Sequence, residues 1–158
     1  MQILHPIPDE ALPRATALWR AHFGFLAWPR HLRPLHGIVA VGPSGQVLGV
    51  MGLRDASGGA PAGALPAPPW IFRPAPPTGD LVIDGLAVSD PGQGTGRALV
   101  AEALRRARLR RHPGLRAEVR ARNCGALAFY GRLGFGEESR GRYGLPWWGQ
   151  VHVLRLAA

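Results

Sequence analysis

An apolar run, Leu81-Val-Ile-Asp-Gly-Leu-Ala-Val88, is followed by glycines at alternate positions, Gly92, Gly94 and Gly96, and by a helical pattern that starts near Thr95. This succession commits the middle of the chain to a strand, a tight turn and a helix. Each glycine in an ordered segment costs roughly 0.5–1 kcal/mol relative to alanine, so their clustering requires a reason. Close approach of the backbone to an anion supplies one. Successive N–H groups of a strand-to-helix turn point into one concavity, and the helix N-terminus adds about half a positive charge there.

The flanking patterns extend the unit in both directions. A short strand over residues 2–5 leads to a helix opened by Asp9 as N-cap, with Leu12, Ala15, Trp19 and Phe23 on one face. Two strands, residues 37–41 and 46–53, are joined by Gly42-Pro-Ser-Gly45 and read as an antiparallel hairpin. Residues 55–79, rich in proline, glycine and alanine, form a long excursion whose only apolar cluster is Trp70-Ile71-Phe72. It reads either as a linker or as a wall over a pocket. After the glycine turn, Leu99, Ala103, Leu104 and Ala107 face inward on a helix that His112-Pro-Gly114 ends. Residues 115–120 alternate as a strand, which implies a parallel crossover from the strand at Leu81. A second helix carries Ala126, Phe129, Tyr130 and Leu133 and stops at Gly134; strands over 135–142 and 151–156 close the chain.

A chain of 158 residues, 46% hydrophobic, is the size of one domain with one core. Nothing at the start resembles a signal peptide and no apolar run is long enough to span a membrane, so a cytoplasmic protein without membrane contact is expected. One cysteine, Cys124, excludes an internal disulfide and a cysteine-based metal cluster, and no metal is expected. The net charge is +9 and every basic side chain other than histidine is arginine. Six arginines between Arg97 and Arg111 form a solvated helix face or meet an acidic partner, but no aromatic residues are interleaved to stack on bases. Nucleic acid is therefore not an expected partner.

Two phosphate-binding motifs place glycines between a strand and a helix, and neither fits. A P-loop needs a lysine after its last glycine, and this chain has none. A dinucleotide fingerprint from Gly94 puts Leu99 where the third small residue belongs, and Glu118, the candidate ribose acid, falls inside a strand. The wider combination does fit a known pattern. The strand at Leu81, the turn Gly92-Gln-Gly-Thr-Gly96 and the segment Asn123-Cys-Gly-Ala126-Leu-Ala-Phe129-Tyr130-Gly-Arg-Leu-Gly134-Phe135 closely resemble the GNAT superfamily of acyl-CoA-dependent N-acetyltransferases.

The resemblance covers roughly residues 80–136, with one departure: Pro91 stands where the family has glutamine or arginine. It implies a single α/β domain with a mixed, mostly antiparallel sheet of six to seven strands, flanked by helices and splayed between the strands at Leu81 and Leu115. It implies acetyl-CoA as cosubstrate and a primary amine of a small molecule or peptide as acceptor. The backbone of Leu86, Ala87 and Val88 would pair with the pantetheine arm. Gln93, Gly94, Thr95, Gly96 and Arg97 would hold the pyrophosphate, and Asn123 and Phe129 would contact the cofactor. Tyr130, otherwise read as a core aromatic, would protonate the departing thiolate, since its reference pKa near 10 exceeds that of a thiol.

A general base is also needed, because a lysine-like amine is almost wholly protonated at pH 7. Asp84 is the candidate, on the ground that it shares strand parity with Val82, Leu86 and Val88; its rival role is to pack against an arginine or cap a turn. His5 and His152 read as ordinary strand residues, and Cys124 has no role as a nucleophile. Trp147 and Trp148 wall the acceptor site or pack a homodimer. A catalytically silent acyl-CoA-binding or regulatory module with a basic surface remains the alternative to an enzyme.

Overall fold

The computed structural model describes residues 1–23, 31–62, 68 and 70–158. In chain order the strands are β1 (Gln2–Leu4), β2 (His31–Leu32), β3 (Gly37–Val41), β4 (Val47–Asp55), β5 (Gly58–Gly59), β6 (Pro61–Ala62), β7 (Leu81–Val88), β8 (Gly114–Arg120), β9 (Gly136–Gly141) and β10 (Val151–Ala157). The helices are α1 (Leu12–Phe23), α2 (Thr95–Leu109) and α3 (Cys124–Arg132). One open sheet runs β1-β3-β4-β7-β8-β10-β9, with β5 added to the end of β4, while β2 and β6 pair separately. All pairings are antiparallel except β7 with β8. This is the expected single α/β domain with a mixed sheet, and seven strands lie along its main path.

Helices cover both faces. The apolar stripe of α2, Leu99, Val100, Ala103 and Ala107, packs with Tyr130 of α3 on Met51, Leu53, Leu81, Ile83 and Leu115. On the other face Ala15 and Trp19 of α1 pack on Val39, Val50 and Ala87. Trp19 sits over two glycines that face each other across β4 and β7, Gly52 and Gly85. A Cβ on either would lie 2.6 Å from the Cη2 of Trp19, so the strands give up two side chains to seat one indole. α1 begins at Leu12 rather than at Asp9: the carbonyls of Pro8 and Asp9 accept from the Leu12 N–H at 3.0 and 3.3 Å, and Asp9 contributes its backbone to this entry turn.

The feature that shapes the site is a bulge in β7. Gly52 pairs with Gly85 but Leu53 pairs with Ile83, which leaves Asp84 as the extra residue. A bulge inserts one residue, bends the strand and reverses the alternation of its side chains beyond that point. Leu81 and Ile83 therefore share the α2 face with Leu86, whereas Ala87 joins the α1 face. The expected parity of Asp84 with Val82, Leu86 and Val88 does not hold. Beyond the bulge β7 also leaves β8: their pairing covers only Leu81, Val82 and Ile83 against Leu115, Arg116 and Ala117. Among the described residues no helix is long and apolar enough to cross a membrane.

Candidate active site

Where β7 and β8 part, a cleft of about 1910 Å³ runs through the sheet. At one end lie Pro91, Gly92, Gly94, Thr95, Gly96 and Arg97 with Asn123 and Phe129; the middle holds Asp84, Leu86, Val88, Glu118 and Tyr130; at the other end stand Phe72, Arg73, Tyr143 and Trp148. On its β4 side the segment Leu86, Ala87 and Val88 is paired, with Met51, Val50 and Gly49. On the β8 side it faces the cleft, where an extended ligand can add as a strand.

The three glycines do different work. Gly92 and Gly94 have φ of 89° and 81°, a region that disfavours a Cβ, and open space surrounds the place a Cβ would occupy. Gly96 has ordinary helical φ, but a Cβ there would lie 3.2 Å from the Phe129 ring. Conformation thus fixes the first two and packing the third. Gly94 is the N-cap of α2, and its carbonyl accepts the first helical bond, from the Ala98 N–H at 3.0 Å. The N–H groups of Gln93, Gly94, Thr95, Gly96 and Arg97 have no protein acceptor among the described residues. A run of free donors at a helix N-terminus fits a diphosphate. Thr95 is buried against Gly49 of β4, which anchors this end of α2 to the sheet.

Asn123 caps α3, its Oδ1 accepting from the Ala126 N–H at 3.1 Å. Its amide nitrogen has no protein partner among the described residues and remains to meet a ligand. Two turns on, Tyr130 lies edge-on to Phe129 and Phe135 at centroid distances of 5.1 and 5.0 Å. Burial pushes its pKa well above the usual tyrosine value, because the phenolate would be desolvated. Its hydroxyl makes no protein hydrogen bond among the described residues, which keeps a proton available to whatever enters the cleft.

Across the cleft the carboxylates are tied to arginines. Asp84 Oδ1 accepts from Arg54 Nε at 2.8 Å, and the same guanidinium lies 3.6 Å from Glu118 Oε1. Burial works against the charge of Arg54, yet Asp84 and Glu118 together raise its pKa. Arg116, buried beneath, lies 3.3 Å from Glu118 and donates to the Pro76 carbonyl at 2.7 Å. Sequence reasoning missed Arg54 and Arg116, and it took Glu118 for an alternating strand residue. The available signal was the charged alternation Arg116, Glu118, Arg120 on a strand beside the motif helix, since a strand that loses its neighbour exposes one face to a cleft.

The described end of the excursion is a wall. Arg73 and Gly144 exchange backbone hydrogen bonds at 3.0 and 2.6 Å, Phe72 meets Trp148 edge-to-face at 6.1 Å, and His112 Nδ1 contacts the Gly79 carbonyl at 2.9 Å. The other residues named from sequence stay outside the cleft. His5 Nδ1 bonds the Gly37 carbonyl at 2.8 Å, and burial lowers its pKa. His152 Nδ1 pairs with Glu137 at 2.6 Å, and Cys124 is exposed at the start of α3.

The chain is similar in fold to several solved acetyltransferases. Ribosomal-protein-alanine N-acetyltransferase from Brucella melitensis has 22% identity and a TM-score of 0.67, with 100% of both chains covered. A GCN5-related N-acetyltransferase from Kribbella flavida has 17% identity and a TM-score of 0.65 over 99% of this chain and 97% of the other. A candidate streptothricin acetyltransferase from Bacillus anthracis, in complex with acetyl coenzyme A, has 16% identity and a TM-score of 0.55 over 77% of this chain. This chain spans 61% of the length of that protein. No curated protein matches. The sequence itself matches the acetyltransferase (GNAT) family over residues 4–135, most of its length, and the chain belongs to that family.

Proposed function

We propose that the protein transfers an acetyl group from acetyl-CoA directly to a primary amine. The observation that carries this reading is the presence of three parts in one cleft: the free N–H groups from Gly94 to Arg97, the open edge of β7, and the Tyr130 hydroxyl. The relatives in which the acceptor is named as a ribosomal-protein alanine support an amine acceptor.

Bound acetyl-CoA would supply an activated acetyl thioester. The turn residues would hold its diphosphate, and Leu86, Ala87 and Val88 its amide-bearing arm, so that the thioester lies beside Tyr130. A β7 N–H facing the cleft would donate to the thioester oxygen. The amine nitrogen forms the new C–N bond as the C–S bond breaks, and Tyr130 gives its proton to the departing sulfur. The amine must first lose a proton, which for a lysine-like amine at pH 7 costs about 4.6 kcal/mol. Of the five carboxylates that line the cleft, Asp84 and Glu118 are the two on the diverging strands β7 and β8. Glu118 is the freer of the two, since its guanidinium contacts are 3.3 and 3.6 Å against 2.8 Å for Asp84. A water between amine and carboxylate completes the path.

The test is acetyl-CoA consumption over a panel of amines, with product masses, for the native protein and Tyr130→Phe. The variant should lose about 10²–10⁴-fold in kcat and keep its affinity for acetyl-CoA. Pro91, which removes one donor from the diphosphate turn, favours the alternative of a silent acyl-CoA-binding module. Binding of acetyl-CoA with no product from any amine in either form would establish that alternative.

A further inference from the structure

Seven large apolar side chains are substantially exposed among the described residues, and four of them, Trp70, Ile71, Phe72 and Trp147, occur on two joined segments. Trp70, Ile71 and Phe72 form a turn in which the Ile71 and Phe72 N–H groups donate to the Pro68 carbonyl. Trp147 lies in the single helical turn Pro146–Trp148. The Arg73–Gly144 backbone bridge and the Phe72–Trp148 contact hold the two segments together. Phe72 and Trp148 line the cleft, whereas their neighbours Trp70 and Trp147, 82% and 64% exposed, are not part of its lining.

Indoles left in water add nothing to the core, and a contiguous apolar patch continuous with a cleft marks a binding surface. A small amine would be engulfed by the cleft without reaching Trp70 or Trp147. An acceptor that uses them must extend out past the mouth.

Charge restricts it further. The carboxylates toward this end already have cations: Asp55 with Arg110, Asp80 with Arg155, Asp84 with Arg54, and Glu118 with Arg54 and Arg116. A polycationic acceptor would find these carboxylates already paired, and Asp90, which also lines the cleft, belongs to the glycine-turn segment. Arg73 and Arg120 lie over the rings of Tyr143 and Trp148 at 5.9 and 5.6 Å, and neither has a carboxylate partner among the described residues. Those two guanidiniums suit an acidic chain. The same ion pairs leave the cleft short of basicity, which favours an α-amine, about one in ten neutral at pH 7, over a lysine side chain, about one in 2,500.

We infer that the acceptor is the N-terminal α-amine of an extended polypeptide with apolar first residues and acidic residues beyond them, seated on Trp70, Phe72, Trp147 and Trp148. The inference rests on the acetyltransferase reading and specifies its acceptor.

The test uses the full chain with acetyl-CoA and four acceptors: a peptide with an apolar start and acidic continuation, the same start with a basic continuation, an N-terminally blocked lysine peptide, and spermidine. The first should exceed each of the others in kcat/KM by roughly tenfold or more, and its KM should rise with added salt. Trp70→Ala combined with Trp147→Ala should raise its KM by roughly fivefold or more, with kcat and acetyl-CoA affinity kept. Both positions are exposed, so the fold tolerates the change, and circular dichroism checks it. Preference for spermidine, for the blocked lysine peptide or for the basic peptide overturns the inference and leaves the acetyltransferase reading standing. An unchanged KM in the double variant also overturns it. Absence of product from every acceptor overturns both.

Discussion

Gly85→Ala adds one methyl group where the sheet has no room for it. The new Cβ would lie 2.6 Å from Cη2 of Trp19 and 3.0 Å from Cζ of Phe23, closer than carbon atoms pack. Trp19 cannot swing clear: it is 2% exposed, and Gly52 and Ala60 bound the same indole edge. The strain must therefore pass to α1, which has to lift from the sheet. Overpacking of this kind costs about 1–3 kcal/mol, and at this chain length about 2–4 °C of Tm for each kcal/mol.

Thermal unfolding of Gly85→Ala should show a Tm lowered by about 2–12 °C. Trp19→Phe shortens the ring that causes the clash, and on its own destabilises by about 1–3 kcal/mol through the space it vacates. Joined to Gly85→Ala it should do less harm than the two single costs added, by about 0.5 kcal/mol or more, because the methyl group enters the vacated space. A Tm for Gly85→Ala within about 1 °C of the parent, or strict additivity in the cycle, would refute the seating of Trp19 on the glycine pair.

Gly94→Ala forces a Cβ into a left-handed conformation at the N-cap of α2, a cost of about 1–2 kcal/mol. It should be divided between lower Tm and weaker acetyl-CoA binding, measured together by thermal shift and calorimetry, and loss of neither would refute the conformational role. Pro91→Gln restores a backbone donor at the turn. Acetyl-CoA Kd should fall by about tenfold, the value of a hydrogen bond to a charged group, and an unchanged Kd would show that position 91 faces away from the diphosphate. The raised pKa of Tyr130 sets the alkaline behaviour. In the proposed role of general acid Tyr130 must stay protonated, and its folded pKa lies above the ordinary value, so kcat should not fall on its account up to pH 10. The linked stability is complete below the unfolded pKa near 10 and is lost as pH rises through the folded one. A Tyr130-dependent fall in kcat centred at or below pH 9 would refute this assignment.

The local elements were legible because their periods and punctuation are strong. The strand at Leu81, the glycine turn, α2 and α3 occur where the pattern places them, since Gly94, Gly134 and the apolar stripes act on their own neighbourhoods. What could not be read was anything that depends on partners distant in sequence. The bulge at Asp84 exists only in the pairing of β4 with β7, and it overturned a parity argument that assumed an unbroken strand. The triangle of Arg54, Asp84 and Glu118 draws one residue from each of three strands. The excursion resisted pattern reasoning because its order comes from Gly144, Trp148 and Arg116, not from periodicity of its own.

The bulge and the triangle belong to one device. Strands hydrogen-bonded along their whole length leave no cleft between them, so a ligand that must lie inside a sheet requires two neighbours to diverge. The extra residue in β7 bends it away from β8 after Ile83, and the price of that divergence is a row of backbone groups left without partners. An amide-bearing ligand arm can satisfy them in place of β8. The divergence also separates the carboxylates of the two strands, and Arg54, reaching from β4, spans the gap to both. Arg116 then ties Glu118 to Pro76 in the excursion, so the wall is fastened to the same cluster that lines the middle of the cleft. The cleft, its open strand edge and its excursion wall are in this way linked to a single irregularity in one strand.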